Sequence, residues 1–102
     1  MAFVKVATLD QVQQGTFHSV EYDGEAIALY NVDGKIHATR DECSHDGGTL
    51  SGGTMDGKCV VCPRHGAKFD VTTGEAVTLP AVLGIDTFDV KIEGDDILID
   101  LD

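Results

Sequence analysis

Residues 43–45 read Cys-Ser-His and residues 62–65 read Cys-Pro-Arg-His, so the chain carries two short motifs that each pair one cysteine with one histidine. Sixteen residues separate the motifs, and Gly47 and Gly66 follow them closely. Two thiolates and two imidazoles form a four-ligand set for a metal centre. We expect the ligands to be Cys43, His45, Cys62 and His65.

The sequence around these motifs predicts a mostly β fold. Runs rich in Val, Ile, Tyr, Phe and Thr are separated by turn signals such as Asp23-Gly24, Asp33-Gly34 and Asp56-Gly57. Such spacing favours antiparallel hairpins. The strand-like runs are residues 16–22, 25–32, 35–39, 58–61, 67–71, 86–93 and 97–101. Residues 8–15 differ and predict a connector of one or two helical turns, capped by Thr8 and stopped by Gly15.

Length and charge limit the possible roles. A chain of 102 residues fits one domain with a modest core. Eighteen acidic and seven basic residues give a formal charge of -11, which would repel nucleic-acid backbones and anionic lipids. No apolar run approaches the roughly 20 residues that span a bilayer, and the first residues lack a signal-peptide pattern. We therefore expect a cytoplasmic protein that binds neither nucleic acid nor membrane.

The remaining cysteine and histidines are not expected to bind metal. Three cysteines, an odd number, argue against a disulfide framework in a chain without an export signal. Cys59 forms a C-x-x-C with Cys62, but no second such pair completes a zinc ribbon. We expect Cys59 to be a small core residue on a strand. His18 and His37 have no second ligand at useful spacing and are expected to be packing or surface residues.

The order of the ligands separates two kinds of metal site. Zinc fingers commonly place the two cysteines together and the two histidines together, whereas here each motif carries one of each. That arrangement suits a pair of irons, one bound by both thiolates and the other by both imidazoles. A structural zinc site with two cysteines and two histidines remains an alternative.

The motifs resemble those of the Rieske proteins, a family that binds a 2Fe-2S cluster through two Cys and two His. Further matches to the family pattern are Gly47, Leu50, Gly53, Gly66, Phe69, Asp70, Thr73 and Gly74. The resemblance implies one cluster per chain, with Cys43 and Cys62 on the inner iron and His45 and His65 on the outer iron. It also implies an all-β antiparallel sandwich, with residues 1–102 as one domain and a small cluster-binding subdomain at about 41–76.

The resemblance also implies a function. The length of the chain is similar to that of the stand-alone ferredoxins that serve bacterial ring-hydroxylating dioxygenases. We therefore expect a soluble, monomeric one-electron carrier between a flavin-containing reductase and a terminal oxygenase, with no catalysis of its own. A small subunit of a larger oxidoreductase, such as assimilatory nitrite reductase, is the main alternative.

Four positions predict the redox behaviour. High-potential members of the family carry a disulfide between the two loops and two hydroxyl donors to the cluster sulfurs. In this chain Gly48 and Arg64 stand at the two disulfide positions, and Ala67 and Phe69 stand at the positions of the two hydroxyl donors. With fewer donors, the added electron is less stabilised, so we expect a potential near the low end of the roughly -150 to +300 mV Rieske range.

Two surface features are also expected near the cluster. Residues 79–84 resemble the proline-containing loop that covers the cluster in this family. A mixed-charge docking rim is the second expectation, and its members would be Asp41, Glu42, Asp46, Arg64 and Lys68.

Overall fold

The fold is seen in a computed structural model, which describes residues 3–42, 50, 53–63, 66–78 and 84–100. Nine strands lie in these ranges. They are β1 (Phe3–Thr8), β2 (Phe17–Tyr22), β3 (Glu25–Val32), β4 (Lys35–Arg40), β5 (Thr54–Asp56), β6 (Cys59–Val61), β7 (Lys68–Asp70), β8 (Thr87–Glu93) and β9 (Asp96–Asp100). Every strand pairing is antiparallel, which confirms the predicted fold class.

The tight hairpins explain why the Asp-Gly pairs predict strands so well. Asp23 and Gly24 both have positive φ, as do Asp33 and Gly34. Two consecutive positive φ values are the signature of the type I′ turn, whose twist matches that of the flanking strands. Each pair therefore fixes the register of a hairpin, β2 with β3 and β3 with β4.

Six strands form one sheet in the order β1-β9-β8-β4-β3-β2, and three form a second sheet in the order β5-β6-β7. Both faces of β3 are buried, so this strand contributes side chains to two separate cores. Ile27 and Leu29 belong to a core within the large sheet. Ala28 and Tyr30 belong to a second core shared with the small sheet. The small sheet therefore packs against the large sheet through this second core.

The Tyr30 hydroxyl is paired inside this second core. Tyr30 Oη lies 2.9 Å from Thr39 Oγ1, and both residues are fully buried. Burial raises the pKa of Tyr30 well above its ordinary range. The hydroxyl therefore remains neutral and joins β3 to β4.

The structure differs from the sequence prediction at β1, which the predicted runs do not include, at β5 and at Cys59. Strand β5 was not predicted, because it has three residues and only Met55 among them is apolar. Cys59 lies on β6 as predicted, but it is half-buried and outside both cores, so its placement in a core was wrong. The alternation of β6 turns Val60 inward and leaves Cys59 on the other face.

The predicted helical connector is a single short turn. A 3-10 helix spans Leu9–Gln11, and the Thr8 N–H donates to Gln11 Oε1 at 2.9 Å. Val12 is fully buried and packs into the core of the large sheet. Gly15 follows with a φ of +78°. Among the residues that the structure describes, no helix is long and apolar enough to cross a membrane.

Candidate metal centre

Cys62 is the one predicted ligand that lies among the described residues, since Cys43, His45 and His65 fall outside them. It directly follows β6 and is 1% exposed. Its N–H donates to the Ala67 carbonyl at 2.7 Å, and its own carbonyl accepts from the Gly66 N–H at 3.0 Å. Gly66 has a φ of +71°, a conformation that glycine adopts without strain. These bonds fix the Cys62 backbone against Gly66 and Ala67.

Gly53, which directly precedes β5, lies against the end of β6 and against Pro63 of the second motif. A Cβ on Gly53 would lie 2.0 Å from the Val61 carbonyl oxygen and 3.2 Å from Pro63 Cδ. There is no room for a side chain at that distance. The backbone before β5 therefore contacts the end of β6 directly, next to Cys62.

Asp41 and Leu50 flank the segment that contains Cys43 and His45. Asp41 is 3% exposed, and its Oδ1 accepts the Leu50 N–H at 2.8 Å. Its Oδ2 accepts the Ser19 hydroxyl at 2.9 Å. Asp41 was predicted to lie in a docking rim, and that prediction was wrong because the carboxylate is buried at the end of β4. Glu42 is exposed, and Asp46 and Arg64 lie outside the described residues.

A pair of glycines holds the base of the predicted covering loop. Residues 79–83 lie outside the described part, but Gly84 and Ile85 are within it. The Ile85 N–H donates to the Gly74 carbonyl at 2.7 Å. A Cβ on Gly74 would lie 2.3 Å from the Ile85 oxygen, and one on Gly84 would lie 2.6 Å from the Gly74 oxygen. The segment after the loop therefore packs backbone to backbone on the turn after β7.

The wall behind Cys62 is apolar. Ala67 and Phe69 are fully buried and share a core with Cys62, Leu50 and Val60. Neither residue offers a hydroxyl, so these two positions supply no donor to a group bound beside Cys62. Hydrogen bonds to such a group would have to come from backbone N–H groups or from other positions.

Cys59 lies between two carboxylates on the outer face of the small sheet. Its register partners are Asp56 on β5 and Asp70 on β7. Burial raises the pKa of the Cys59 thiol, and the charges of Asp70 and Asp56 raise it further. The thiolate, which is the form that binds metal, is therefore disfavoured at Cys59.

Asp70 is itself held ionised. Its Oδ1 accepts from the Thr72 N–H at 2.9 Å and from the Thr72 hydroxyl at 2.6 Å, and Lys58 Nζ lies 3.2 Å from Oδ2. Burial alone would raise the pKa of Asp70, but the Thr72 hydrogen bonds and Lys58 lower it below its ordinary value. On the same face, Lys68 is paired with Asp56 at 2.7 Å.

The two histidines outside the motifs lie on strands of the large sheet. His18 and His37 are half-buried on β2 and β4. Burial and the nearby Lys35 lower the pKa of His37. Within the described ranges, no group of three or more His, Cys, Asp or Glu side chains could hold a metal ion. Their predicted role as packing or surface residues agrees with this placement.

The surroundings of Cys62 fit an iron-sulfur cluster. A buried thiol in an apolar core supplies a soft ligand, and the glycines beside it allow backbone N–H groups to come close. A scan against family models matches residues 2–89 to the Rieske 2Fe-2S domain. The chain belongs to this family. It therefore binds one 2Fe-2S cluster, a group that exchanges a single electron when bound.

Known proteins of this family are similar to the chain over nearly its whole length. The ferredoxin component of a naphthalene 1,2-dioxygenase system from Pseudomonas aeruginosa is 37% identical over 97% of this chain and 95% of its own. A Sphingomonas yanoikuyae ferredoxin structure has a TM-score of 0.93 and 33% identity, covering 99% of this Rieske chain and 100% of its own.

A third match is a chain from a complex of reduced oxygenase and oxidized ferredoxin in carbazole 1,9a-dioxygenase. It has a TM-score of 0.89 and 33% identity, and the match covers 95% of this chain and 91% of that one. The two ferredoxin structures confirm the Rieske architecture predicted from the motifs.

Proposed function

We propose that this Rieske protein is a one-electron carrier that passes electrons from a reductase to a terminal ring-hydroxylating oxygenase. The observation that carries the proposal is the full-length similarity to proteins named as ferredoxin components of dioxygenase systems. The matches cover 97% and 98% of this chain and 95% and 93% of the two relatives. The carrier has no catalytic step of its own.

The proposed ligands are Cys43 and Cys62 for one iron and His45 and His65 for the other. The burial of Cys62 supports its place on the inner iron, where solvent is excluded. The protonated, carboxylate-flanked Cys59 supports the choice of Cys62 over its neighbour in the C-x-x-C. Residues 1–102 are proposed as one domain, with residues 41–76 as the cluster-binding subdomain.

The partners and the compartment complete the proposal. A terminal oxygenase is the electron acceptor, in keeping with the carbazole dioxygenase complex that the chain resembles. A flavin-containing reductase is the proposed donor, and the carrier acts as a cytoplasmic monomer. The names of the relatives favour this function over a nitrite reductase subunit, and the family match favours iron over zinc.

Anaerobic reduction tests the function. Native protein should contain two irons and two acid-labile sulfides per chain and should take up one electron per chain from dithionite. The reduced protein should then be reoxidised when it is mixed with the oxygenase of a naphthalene 1,2-dioxygenase system. Zinc in place of iron, or a reduced protein that no such oxygenase reoxidises, would contradict the proposal.

A further inference from the structure

Asp41 holds together the two ends of the segment that carries Cys43 and His45. The segment begins after Asp41 and ends at Leu50, nine positions later. Asp41 Oδ1 accepts the Leu50 N–H at 2.8 Å, so one side chain closes this segment at its base. The Asp41 N–H in turn donates to the Ala26 carbonyl on β3 at 2.9 Å.

The carboxylate is also attached to the framework. Asp41 Oδ2 accepts the Ser19 hydroxyl at 2.9 Å, and Ser19 lies on β2. Hydrogen bonds to a charged acceptor are stronger than those between neutral groups, and burial makes the loss of one more costly. The 3% exposure of Asp41 therefore makes these two bonds strong restraints.

Leu50 connects Asp41 with the core that contains Cys62. Its side chain is fully buried in the core that also contains Cys62, Ala67 and Phe69. The Leu50 backbone is held by Asp41, and the Gly53 N–H donates to the Leu50 carbonyl at 3.2 Å. A shift of Leu50 would thus change both the segment that carries Cys43 and the packing behind Cys62.

We infer that Asp41 is a positioning residue for the cluster. Its carboxylate sets the base of the Cys43–His45 segment and thereby controls how tightly the cluster is retained. The inference rests on the proposed assignment of Cys43 and His45 as ligands. A parent protein that lacks iron and sulfide would refute that assignment, whereas the comparison of variants below tests Asp41 alone.

The test uses the holoprotein and three variants. Asp41→Ala removes the hydrogen bonds to Leu50 and Ser19, whereas Asp41→Asn keeps an oxygen for the Leu50 N–H and places an amide beside Ser19. Ser19→Ala removes only the second bond. The rate of cluster release is followed by the loss of visible absorption in the presence of an iron chelator. Exchange of the Leu50 amide and the electron paramagnetic resonance spectrum of the reduced protein are recorded in parallel.

Asp41→Ala should release its cluster about tenfold faster or more, because one charge-assisted bond is worth about a factor of ten or more. Its Leu50 amide should exchange faster, and its spectrum should shift. Asp41→Asn keeps the oxygen for Leu50 but loses the charge, so its release rate should lie between those of the parent and Asp41→Ala. Ser19→Ala keeps the Leu50 bond and should also lie between them.

Two controls separate positioning from general effects. Glu42→Gln removes one negative charge from an exposed neighbour and should leave the release rate unchanged. Ile97→Val weakens the other core and should lower the melting temperature without accelerating Leu50 exchange relative to other amides. A parent-like release rate and spectrum in Asp41→Ala would overturn the inference. If Asp41→Ala does not fold, a parent-like release rate in Ser19→Ala overturns it.

Discussion

Arg40 and Asp86 are joined twice, once through the backbone and once through their side chains. The Arg40 N–H donates to the Asp86 carbonyl at 2.9 Å, and Nε donates to Oδ2 at 3.2 Å. The same guanidinium donates to the Glu25 carboxylate and lies 5.9 Å from the centroid of the Phe88 ring. One side chain therefore links the end of β4, the start of β3 and the segment that leads into β8.

Replacing Arg40 by Ala should lower the free energy of unfolding by about 1–2 kcal/mol, since partly exposed ion pairs contribute up to about 1 kcal/mol each. Arg40→Lys should recover only part of this, because an ammonium lacks the planar fork that serves two carboxylates. Anaerobic urea titration measures both variants. The matched control is Lys5→Ala, which removes a pair with Asp96 whose side chains are 56% and 45% exposed. An equal loss in that control would contradict a special role for Arg40.

Gly53→Ala should impair cluster assembly. The added methyl would lie 2.0 Å from the Val61 carbonyl, so the backbone on one side of Cys62 must move. Overpacking of this kind costs about 1–3 kcal/mol. Iron and sulfide per chain, measured on freshly purified protein, should fall well below the parent's content. Gly34→Asn is the control for backbone strain alone: its φ of +84° disfavours a side chain, but a Cβ there meets nothing within 4 Å and the residue lies in the β3–β4 hairpin. Similar losses of cluster in both variants would argue against a local effect at Gly53.

The hairpins were predictable because their information is local. An Asp-Gly pair and a period-two pattern define β2, β3 and β4 without reference to any distant residue. Strand β5 was missed because three residues with a single apolar side chain carry no readable period. It forms because β6 offers it a partner, and that partnership cannot be seen in the strand's own sequence.

The contacts of buried polar groups at the site could not be predicted from the sequence. Asp41 was assigned to the surface, because a carboxylate is rarely buried unless it is paired. Its partners include Ser19, 22 residues earlier, and the Leu50 N–H, nine residues later. Neither contact leaves a local signal in the sequence. The motifs, by contrast, predicted the family and the cluster, because ligand type and spacing are fixed by the chemistry of the metal.

Thr72→Val should raise the pKa of Asp70 by removing the hydroxyl that stabilises its ionised form. In the parent protein this pKa is lowered below its ordinary value of 3.8. A lowered pKa in the folded state adds stability above the unfolded pKa, and this stability is lost as the pH falls through the folded pKa. The stability difference between parent and variant should therefore be present at neutral pH and shrink below about pH 4.

Carboxyl NMR titration of Asp70 in the parent and in Thr72→Val measures the pKa directly, and melting temperatures across the same pH range measure the stability difference. Thr73→Val is a nearby control, since the Thr73 hydroxyl accepts from the Glu75 N–H and is not bonded to Asp70. A stability difference that grows on acidification would contradict the assigned sign.

Cys59→Ala should keep a full cluster, whereas Cys62→Ala should lose it. Cys59 lies on the outer face between Asp56 and Asp70, and Cys62 is buried beside the apolar wall. The raised pKa of Cys59 should also make it slow to react with iodoacetamide near neutral pH, despite its partial exposure. Iron analysis and mass spectrometry of the alkylated protein check both points. A colourless Cys59→Ala protein would reverse the assignment of the two thiols.

Ala67→Ser should raise the reduction potential of a protein that starts near the low end of the Rieske range, below zero mV. Ala67 is fully buried in the core with Cys62, and its carbonyl accepts the Cys62 N–H, so a hydroxyl at Cβ is held close to that ligand. A hydrogen bond worth about 0.5–1.5 kcal/mol more to the reduced cluster would raise the potential by about 20 to 65 mV, at 59 mV per factor of ten for one electron.

Redox titration of the parent, of Ala67→Ser and of Ala7→Ser in the other core measures this shift. A parent potential well above zero would refute the starting value, and an unchanged potential in Ala67→Ser would show that this position does not donate to the cluster.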